Sequence, residues 1–167
     1  MKALDRLALG VATCCFLSYI PVWLTRRFPS ERLQKWTGAG FVGTLVGLAA
    51  LGVLPESGWA LAGALFAATA GACWASGRAE CALGSHDDPR IVIDETVGYW
   101  FAVAWLPREP WILLTGFILF RILDAVKLPP YSWLERLPGG FGVVFDDVGA
   151  GAAANLLLRG AFALAAR

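Results

Sequence analysis

Long apolar stretches alternate with short polar connectors along the whole chain. Six of these stretches are apolar enough to form helices inside a bilayer. They cover residues 7–24, 40–54, 59–75, 91–106, 111–126 and 148–165. Several are shorter than the roughly 20 residues that span a bilayer comfortably. The pattern predicts an all-α, compact polytopic membrane helical bundle of about five or six helices, some of them short or re-entrant.

The composition supports this assignment. Of the 167 residues, 57% are hydrophobic and only 16% are charged, which is too apolar for an ordinary soluble domain. We expect a single membrane-embedded domain over residues 1–167, in which residues 1–37 form an N-terminal helix and a basic loop. The net charge is +1 and no basic block with interleaved aromatic residues occurs, so we expect no nucleic-acid partner.

The connectors differ in length and charge. Residues 55–58 and 107–110 are short and contain proline, so we expect each to be a tight turn between two antiparallel helices. Residues 25–38, 76–90 and 127–145 are longer and carry arginine or lysine. The positive-inside rule therefore places these three connectors, and the helix ends beside them, in the cytoplasm.

The first apolar stretch begins like a secretion signal. Lys2 and Arg6 precede it, but it ends in Arg26-Arg27 and contains no small-residue cleavage pattern. We therefore expect residues 7–24 to remain in the protein as one helix.

Three acidic clusters stand at the ends of apolar stretches. They are Asp94-Glu95 at the start of the fourth, Asp124 near the end of the fifth, and Asp146-Asp147 before the sixth. A carboxylate at membrane depth costs several kcal/mol unless it is paired, hydrated or bound to a metal. The connector assignment brings all three clusters to the cytoplasmic side, where we expect them to form one site.

Basic residues and glycines accompany the acids. Arg121 and Lys127 flank Asp124 at helical spacing, so one acid and two bases share a side of a helix. Residues 138–142 are rich in glycine, and we expect a tight loop there whose backbone amides can approach an anion. Oxygen ligands with almost no histidine favour a hard cation such as Mg2+ over zinc. These groups predict a metal-dependent phosphate site with water as the nucleophile.

Each cluster also has a purely structural interpretation. Arg121 and Asp124 can neutralise one another within a bundle. Asp146 can cap a helix N-terminus, and Asp94-Glu95 can be a solvated helix start. A shared position of all three clusters favours the functional interpretation.

Glycines mark places where helices can approach closely. Gly43 and Gly47 have the spacing of a packing stripe, with approach of the backbone to a phosphate as the alternative. Gly98 lies one turn beyond Asp94 on the same face, so another helix can come close there.

Several separated motifs occur together in one bacterial family. They are Ala79-Glu80, Leu83-Gly84, Asp87, Ile91-Val-Ile-Asp-Glu95, Val97-Gly98, Phe120-Arg-Ile-Leu-Asp124, Lys127, Pro130, Gly139-Gly140, Gly142, Asp146-Asp147 and Ala150-Gly151. Over about residues 38–151 the chain resembles the phosphatidylglycerophosphatase A family. The resemblance implies an all-helical, multi-pass, Mg2+-dependent lipid phosphatase at the cytoplasmic face of the bacterial inner membrane. Its substrate would be phosphatidylglycerophosphate, an anionic phospholipid that it converts to phosphatidylglycerol in glycerophospholipid biosynthesis.

The resemblance also implies roles for individual residues. The catalytic and metal-binding residues would be Asp94, Glu95, Asp124, Asp146 and Asp147. The phosphate-binding residues would be Arg121 and Lys127, with Glu80 and Asp87 as second-tier candidates.

The chain departs from the family pattern at two places. Residues 39–45 read Ala-Gly-Phe-Val-Gly-Thr-Leu where the family has Pro-Gly-Thr-x-Gly-Ser-Leu, and Leu128 replaces a proline. The first departure removes a hydroxyl at Phe41, which argues against phosphate binding by that stretch and leaves the acids intact.

A different class of function fits the same acids. A small membrane transporter or channel subunit could use buried carboxylates as a proton or cation relay. Flux across proteoliposomes would distinguish this alternative from hydrolysis. The sequence leaves the oligomeric state open.

Overall fold

The computed structural model describes residues 2–25, 27, 37–85, 88–126, 129 and 131–165, and within these ranges the chain forms helices and no β-strand. The α-helices are α1 (Ala3–Ala12), α2 (Tyr19–Thr25), α3 (Ala39–Ala49), α4 (Gly58–Leu83), α5 (Ile93–Val103), α6 (Pro110–Val126) and α7 (Gly140–Ala165). Short 3-10 helices cover Ala50–Val53 and Tyr131–Arg136. The predicted all-α bundle is confirmed.

Helix α5 lies at the centre of the bundle. It contacts α3, α4, α6 and α7, and its most extensive contact is with α7. Its residues Val97, Tyr99 and Ala102 are almost completely buried. The first turn of α5, which carries Asp94 and Glu95, is therefore surrounded by neighbouring helices.

Two helices, Gly58–Leu83 and Gly140–Leu164, are long and apolar enough to cross a membrane. A shorter apolar helix covers Ala39–Val53. Large apolar side chains on the two long helices, among them Phe66 and Leu156, are exposed. Exposed apolar surface of this extent is typical of a face that contacts lipid or another protein.

The prediction of one continuous helix over residues 7–24 is wrong. The chain turns between α1 and α2, where Cys14, Cys15 and Phe16 all have positive φ angles. The turn is held against the rest of the bundle, because the Val92 amide donates to the Ala12 carbonyl at 2.8 Å. This break divides the first apolar stretch into two helices, so the described chain has seven α-helices where the sequence indicated five or six.

Helix α1 is fixed to α4 by an ion pair. Arg78 Nη2 lies 2.6 Å from Asp5 Oδ1. The hydrogen bond from Arg78 lowers the pKa of Asp5 below its ordinary value. The N-terminal segment is thus part of the bundle and packs at the same end as the first turn of α5.

Two predicted loops are helical over part of their length. Helix α4 continues to Leu83, well into the predicted connector 76–90, and α7 begins at Gly140, inside the predicted loop 138–142. A Cβ atom on Gly140 would overlap the carbonyl oxygen of Cys73. Glycine at position 140 therefore allows a close crossing of α4 and α7. The predicted loop is confined to residues 137–139, and its role in binding phosphate stays a prediction.

The two predicted tight turns are present. Residues 54–57 and 104–109 are non-helical and separate consecutive helical segments. The second turn joins α5 and α6, which pack on one another. Helices α3 and α4, on either side of the first turn, make little direct contact, because α3 packs on α5.

Candidate active site

Carboxylates from two helices meet at the N-terminal end of α5. Asp94 and Glu95 belong to its first turn, and Asp147 comes from α7. One carboxylate oxygen from each of the three lies within 4.8 Å of the others. The structure therefore brings together residues from two of the three predicted clusters.

Glycines allow α5 and α7 to cross at this point without intervening side chains. A Cβ atom on Gly98 would lie 2.8 Å from the backbone oxygen of Asp147. A Cβ atom on Gly151 would overlap the backbone oxygen of Gly98. The close approach expected at Gly98 is confirmed, and it sets Asp147 beside Asp94.

The three carboxylates have unsatisfied oxygens. Asp94 Oδ1, Glu95 Oε2 and Asp147 Oδ2 are buried and have no hydrogen-bond partner among the described residues. Asp94 and Asp147 are only 7% and 4% exposed. Buried carboxylate oxygens without donors are costly, and a divalent cation removes that cost by binding them directly. The donor set, all of it oxygen, fits a metal ion, and it fits a hard cation in particular.

Asp124 and Arg121, near the C-terminal end of α6, lie beside this group. Arg121 Nη1 is 3.0 Å from Asp124 Oδ2. Asp124 is close enough to Asp147 and Glu95 to interact with both carboxylates. The ion pair expected between Arg121 and Asp124 is present, and its position beside the other acids brings the third cluster to the same place.

The N-terminal end of α3 covers Glu95 and Arg121. A Cβ atom on Gly40 would overlap the Glu95 carboxylate and lie 3.1 Å from both terminal nitrogens of Arg121. Thr44 is fully buried, and its hydroxyl lies 3.5 Å from Arg121 Nη1. The guanidinium is therefore held between Asp124 on its own helix and Thr44 on α3.

The same helix packs tightly on α5. The Thr96 hydroxyl donates to the Gly43 carbonyl at 2.8 Å, and the Trp100 indole donates to the Gly47 carbonyl at the same distance. Cβ atoms on Gly43 or Gly47 would meet the backbone of α5. The interpretation of this glycine spacing as a packing stripe is confirmed.

Asp146 and Glu80 are buried but lie outside the group of three carboxylates. Asp146 Oδ1 accepts the Asp147 amide hydrogen at 3.0 Å. Because α7 begins at Gly140, Asp146 is inside the helix, and its interpretation as an N-cap is wrong. Glu80 lies near the C-terminal end of α4. The catalytic roles of both residues stay predictions.

A sequence model of phosphatidylglycerophosphatase A matches residues 11–162. The chain belongs to the phosphatidylglycerophosphatase A family. The match is wider than the region of about residues 38–151 in which individual motifs are recognisable, and it includes the turn between α1 and α2. The protein is accordingly a phosphatase.

Three curated relatives show the range of this similarity. The chain is 31% identical over 148 residues, 84% of its length and 92% of the relative, to a Bacteroides thetaiotaomicron protein named "Putative phosphatidylinositol-3-phosphatase". It is 42% identical over 71 residues to phosphatidylglycerophosphatase A of Escherichia coli, and 37% identical over 78 residues to that of Haemophilus influenzae. These two alignments cover 41% and 48% of the respective relative. No solved structure matches the chain significantly.

Two residues to which the family resemblance assigns a role lie outside the described residues. They are Lys127, expected to contact phosphate, and Asp87, a second-tier candidate. Asp94, at 7% exposure, is not a solvated helix start, so that structural interpretation is wrong.

The sequence analysis gave no role in the site to three residues that shape it: Gly40, Thr44 and Gly151. Gly40 and Thr44 belong to the stretch 39–45, whose resemblance to a family motif directed attention to Phe41. Phe41 is 49% exposed and packs against Phe117, with ring centroids 5.2 Å apart. The informative signal was the glycine at position 40, because only glycine leaves space for the Glu95 carboxylate.

Proposed function

We propose that this family member hydrolyses the terminal phosphomonoester of phosphatidylglycerophosphate, with Mg2+ as its cofactor, and releases phosphatidylglycerol and phosphate. One observation carries the proposal: three carboxylates, each with a buried oxygen that lacks a hydrogen-bond partner, stand beside Arg121, which contacts both Asp124 and Thr44. The printed names of the E. coli and H. influenzae relatives support the choice of lipid.

The metal would be held by Asp94, Glu95 and Asp147, with Asp124 beside them. When bound, Mg2+ supplies positive charge for the phosphoryl oxygens and favours ionisation of a water molecule. A bound cation would also offset the like charge that these carboxylates place in a buried site. Among the described residues Arg121 pairs with Asp124 at this place, and a bound cation would add further positive charge beside the carboxylates.

Arg121 binds and orients the phosphomonoester. Its guanidinium is planar and presents paired N–H donors that match two phosphoryl oxygens. Contacts with Asp124 and Thr44 fix its direction, so little side-chain freedom is lost when the phosphate binds. Lys127, on the same helical side by sequence, is proposed as a second phosphate contact.

Hydrolysis then requires one positioned water. Its oxygen bonds to phosphorus while the bond from phosphorus to the glycerol oxygen breaks. A carboxylate takes the water proton, and Asp124 and Asp146 are the candidates because they are not in the group of three that faces the metal position. The protonated carboxylate then gives this proton to the leaving glycerol oxygen, which yields phosphatidylglycerol.

We infer that the enzyme works in the bacterial inner membrane with its site at the cytoplasmic face. Two helices of spanning length and exposed apolar surface support the membrane location. The basic connectors support the orientation through the positive-inside rule. In this position the enzyme would supply phosphatidylglycerol for glycerophospholipid biosynthesis.

The direct test is phosphate release from phosphatidylglycerophosphate in detergent micelles, with Mg2+ and after its removal by a chelator. We expect metal-dependent release by the native protein and a loss of at least about 100-fold in Asp94→Asn. Glu109→Gln is the matched control, because Glu109 is an exposed acid away from the cluster. Folded native protein that releases no phosphate in Mg2+ would contradict the proposal.

A phosphoinositide is the second candidate substrate. It is favoured by the B. thetaiotaomicron relative, whose match covers 84% of this chain. Parallel assays with phosphatidylinositol 3-phosphate and phosphatidic acid distinguish the candidates, since the preferred lipid has the highest kcat/KM. Membership of a phosphatase family favours hydrolysis over the proton or cation relay that the acids alone would also fit.

A further inference from the structure

An apolar groove runs along the outside of the bundle between α4, α5 and α7. Its volume is about 580 Å³, which is within the range of small-molecule pockets. Its walls carry aromatic rings, including Phe66 of α4, Phe141 of α7 and Trp105 in the turn after α5, and none of its lining residues is charged. The hydroxyl of Thr69 donates to the Leu65 carbonyl at 2.8 Å, so it requires no partner from a ligand. The chemistry of the groove therefore suits an uncharged, apolar occupant.

The groove lies on the two helices that are long enough to cross a membrane. Ala62 and Cys73 of α4 both line it, and they are about 16 Å apart along the helix axis. Phe66 is 77% exposed and Phe141 is 55% exposed, so the groove is open toward the surroundings of the bundle. In the membrane location proposed above, these surroundings would be the acyl chains of the bilayer.

The groove and the acidic site use neighbouring positions on α5 and α7. Asp94, Val97 and Phe101 lie on one face of α5, and Phe101 lines the groove. Asp94 and Phe101 are about 10 Å apart along the axis of α5. On α7, the lining residues Phe145 and Val148 directly flank the Asp146-Asp147 pair.

We propose that this groove holds one acyl chain of the phospholipid substrate, an inference that rests on the proposed function. A chain lying there places its headgroup at the acidic end of α5, because the groove and Asp94 share one face of that helix. The chain is already in an apolar phase, so the groove gains no hydrophobic free energy from it. Its contribution is dispersion contact and orientation of the headgroup relative to the metal position.

Continuity with the acidic site selects this occupant over a second copy of the protein. A dimer interface would cover the same face, but it would not require the groove to lie on the face of α5 that carries Asp94. The acyl chain connects the two, because the lipid that carries the phosphate also carries the chain.

Chain length gives the first test. Ala62 lies at the end of the groove away from the acids, so Ala62→Trp fills the part that only a long chain reaches. We compare kcat/KM for dipalmitoyl and dihexanoyl phosphatidylglycerophosphate in the same detergent. The expected result is a fall of about tenfold for the dipalmitoyl lipid and an unchanged value for the dihexanoyl lipid. Leu156→Trp, on an exposed face of α7 outside the groove, is the control and leaves the ratio unchanged.

The possible outcomes distinguish a failure of acyl-chain binding in the groove from a failure of the proposed phosphatase activity. If the ratio of kcat/KM for the dipalmitoyl lipid to that for the dihexanoyl lipid is the same in the native protein and in Ala62→Trp, the groove does not bind the acyl chain. The proposed phosphatase activity would be unaffected by that result. Activity on the dihexanoyl lipid shows that Ala62→Trp is folded. Native protein that is inactive on both lipids would contradict the proposed function. The photocrosslinking experiment described next would then be the test of whether the groove binds an acyl chain.

The second test does not depend on turnover. Phosphatidylglycerol with a photoreactive group at the end of one acyl chain is crosslinked to the protein in phosphatidylcholine vesicles, and the adducts are mapped by mass spectrometry. We expect adducts near Ala62 and Phe66 that excess unlabelled phosphatidylglycerol suppresses. Uniform labelling that includes the Leu156 face, or crosslinked dimers through the groove, would overturn the inference.

Discussion

Gly98 lies so close to Asp147 that a Cβ atom on Gly98 would be 2.8 Å from the backbone oxygen of Asp147. The helix that carries Asp94 and Glu95 therefore meets the helix that carries Asp147 with backbone against backbone. The separation of the carboxylates is set by this crossing, because each acid stands on a helix that cannot move outward without losing the contact.

The crossing can be tested with Gly98→Ala. The added methyl group also meets the Phe120 ring at 2.8 Å, so we expect a loss of about 1–3 kcal/mol in the free energy of unfolding. Phosphate release should fall further than the folded fraction does, because the carboxylates move apart. Gly160→Ala, on α7 with open space around it, is the control and should be neutral or stabilising by up to about 1 kcal/mol. Equal effects of the two substitutions on thermal unfolding would contradict the crossing.

Gly40→Ala tests the cover over Glu95. The new side chain would occupy the position of the Glu95 carboxylate, so we expect Glu95 or Arg121 to be displaced and kcat/KM to fall at least tenfold. Gly52→Ala, whose Cβ meets nothing within 4 Å, should retain native activity. Native kinetics in Gly40→Ala would show that neither group needs its present position.

Metal binding should be visible in stability as well as in activity. A cation that binds only the folded protein stabilises it by about 2.7 kcal/mol at a concentration 100 times its Kd. We expect Mg2+ to raise the Tm of the native protein and a chelator to reverse the rise. Asp147→Asn should abolish the response without lowering the metal-free Tm, because it removes one of several like charges from a buried place. A full Mg2+ response in that variant would place the ion elsewhere.

Arg121→Lys tests whether phosphate binding needs the planar pair of donors on Arg121 or only its positive charge. Lysine keeps the positive charge but lacks the planar pair of donors, so we expect kcat/KM to fall about 10- to 100-fold, mainly through weaker phosphate binding. Arg108→Lys is the matched control: Arg108 donates to the Leu54 and Pro55 carbonyls, away from the acids. The prediction fails if both variants have native kcat/KM.

The convergence of the acids was predictable from the sequence because it followed from the order of apolar stretches and basic connectors. Asp94 and Glu95 lie in the first turn of a helix, as expected. Gly98, one turn after Asp94, lies at a close crossing of α5 and α7, also as expected. These features depend on local pattern and on which end of each helix carries charge.

Features that depend on contact between distant segments were not predictable. The glycines at 139–142 have the composition of a loop, yet Gly140 begins a helix, and α4 approaches it too closely for any side chain. The break in residues 7–24 has no proline or glycine at its centre, and it is held by the hydrogen bond from Val92 to Ala12. The local sequence around Gly140 does not show that α4 packs against it, and the local sequence of residues 7–24 does not show that Val92 binds Ala12.

The crossing of α5 and α7 also has a consequence for biosynthesis of the enzyme. Fifty-two residues separate Glu95 from Asp147, so a ribosome adding about 5–20 residues per second needs roughly 3–10 seconds to pass from one to the other. During that interval the nascent chain already contains Asp94 and Glu95 but lacks the third carboxylate that closes the group. The group of carboxylates is therefore assembled only when α7 has been made and has docked, and a chain interrupted before that point lacks it.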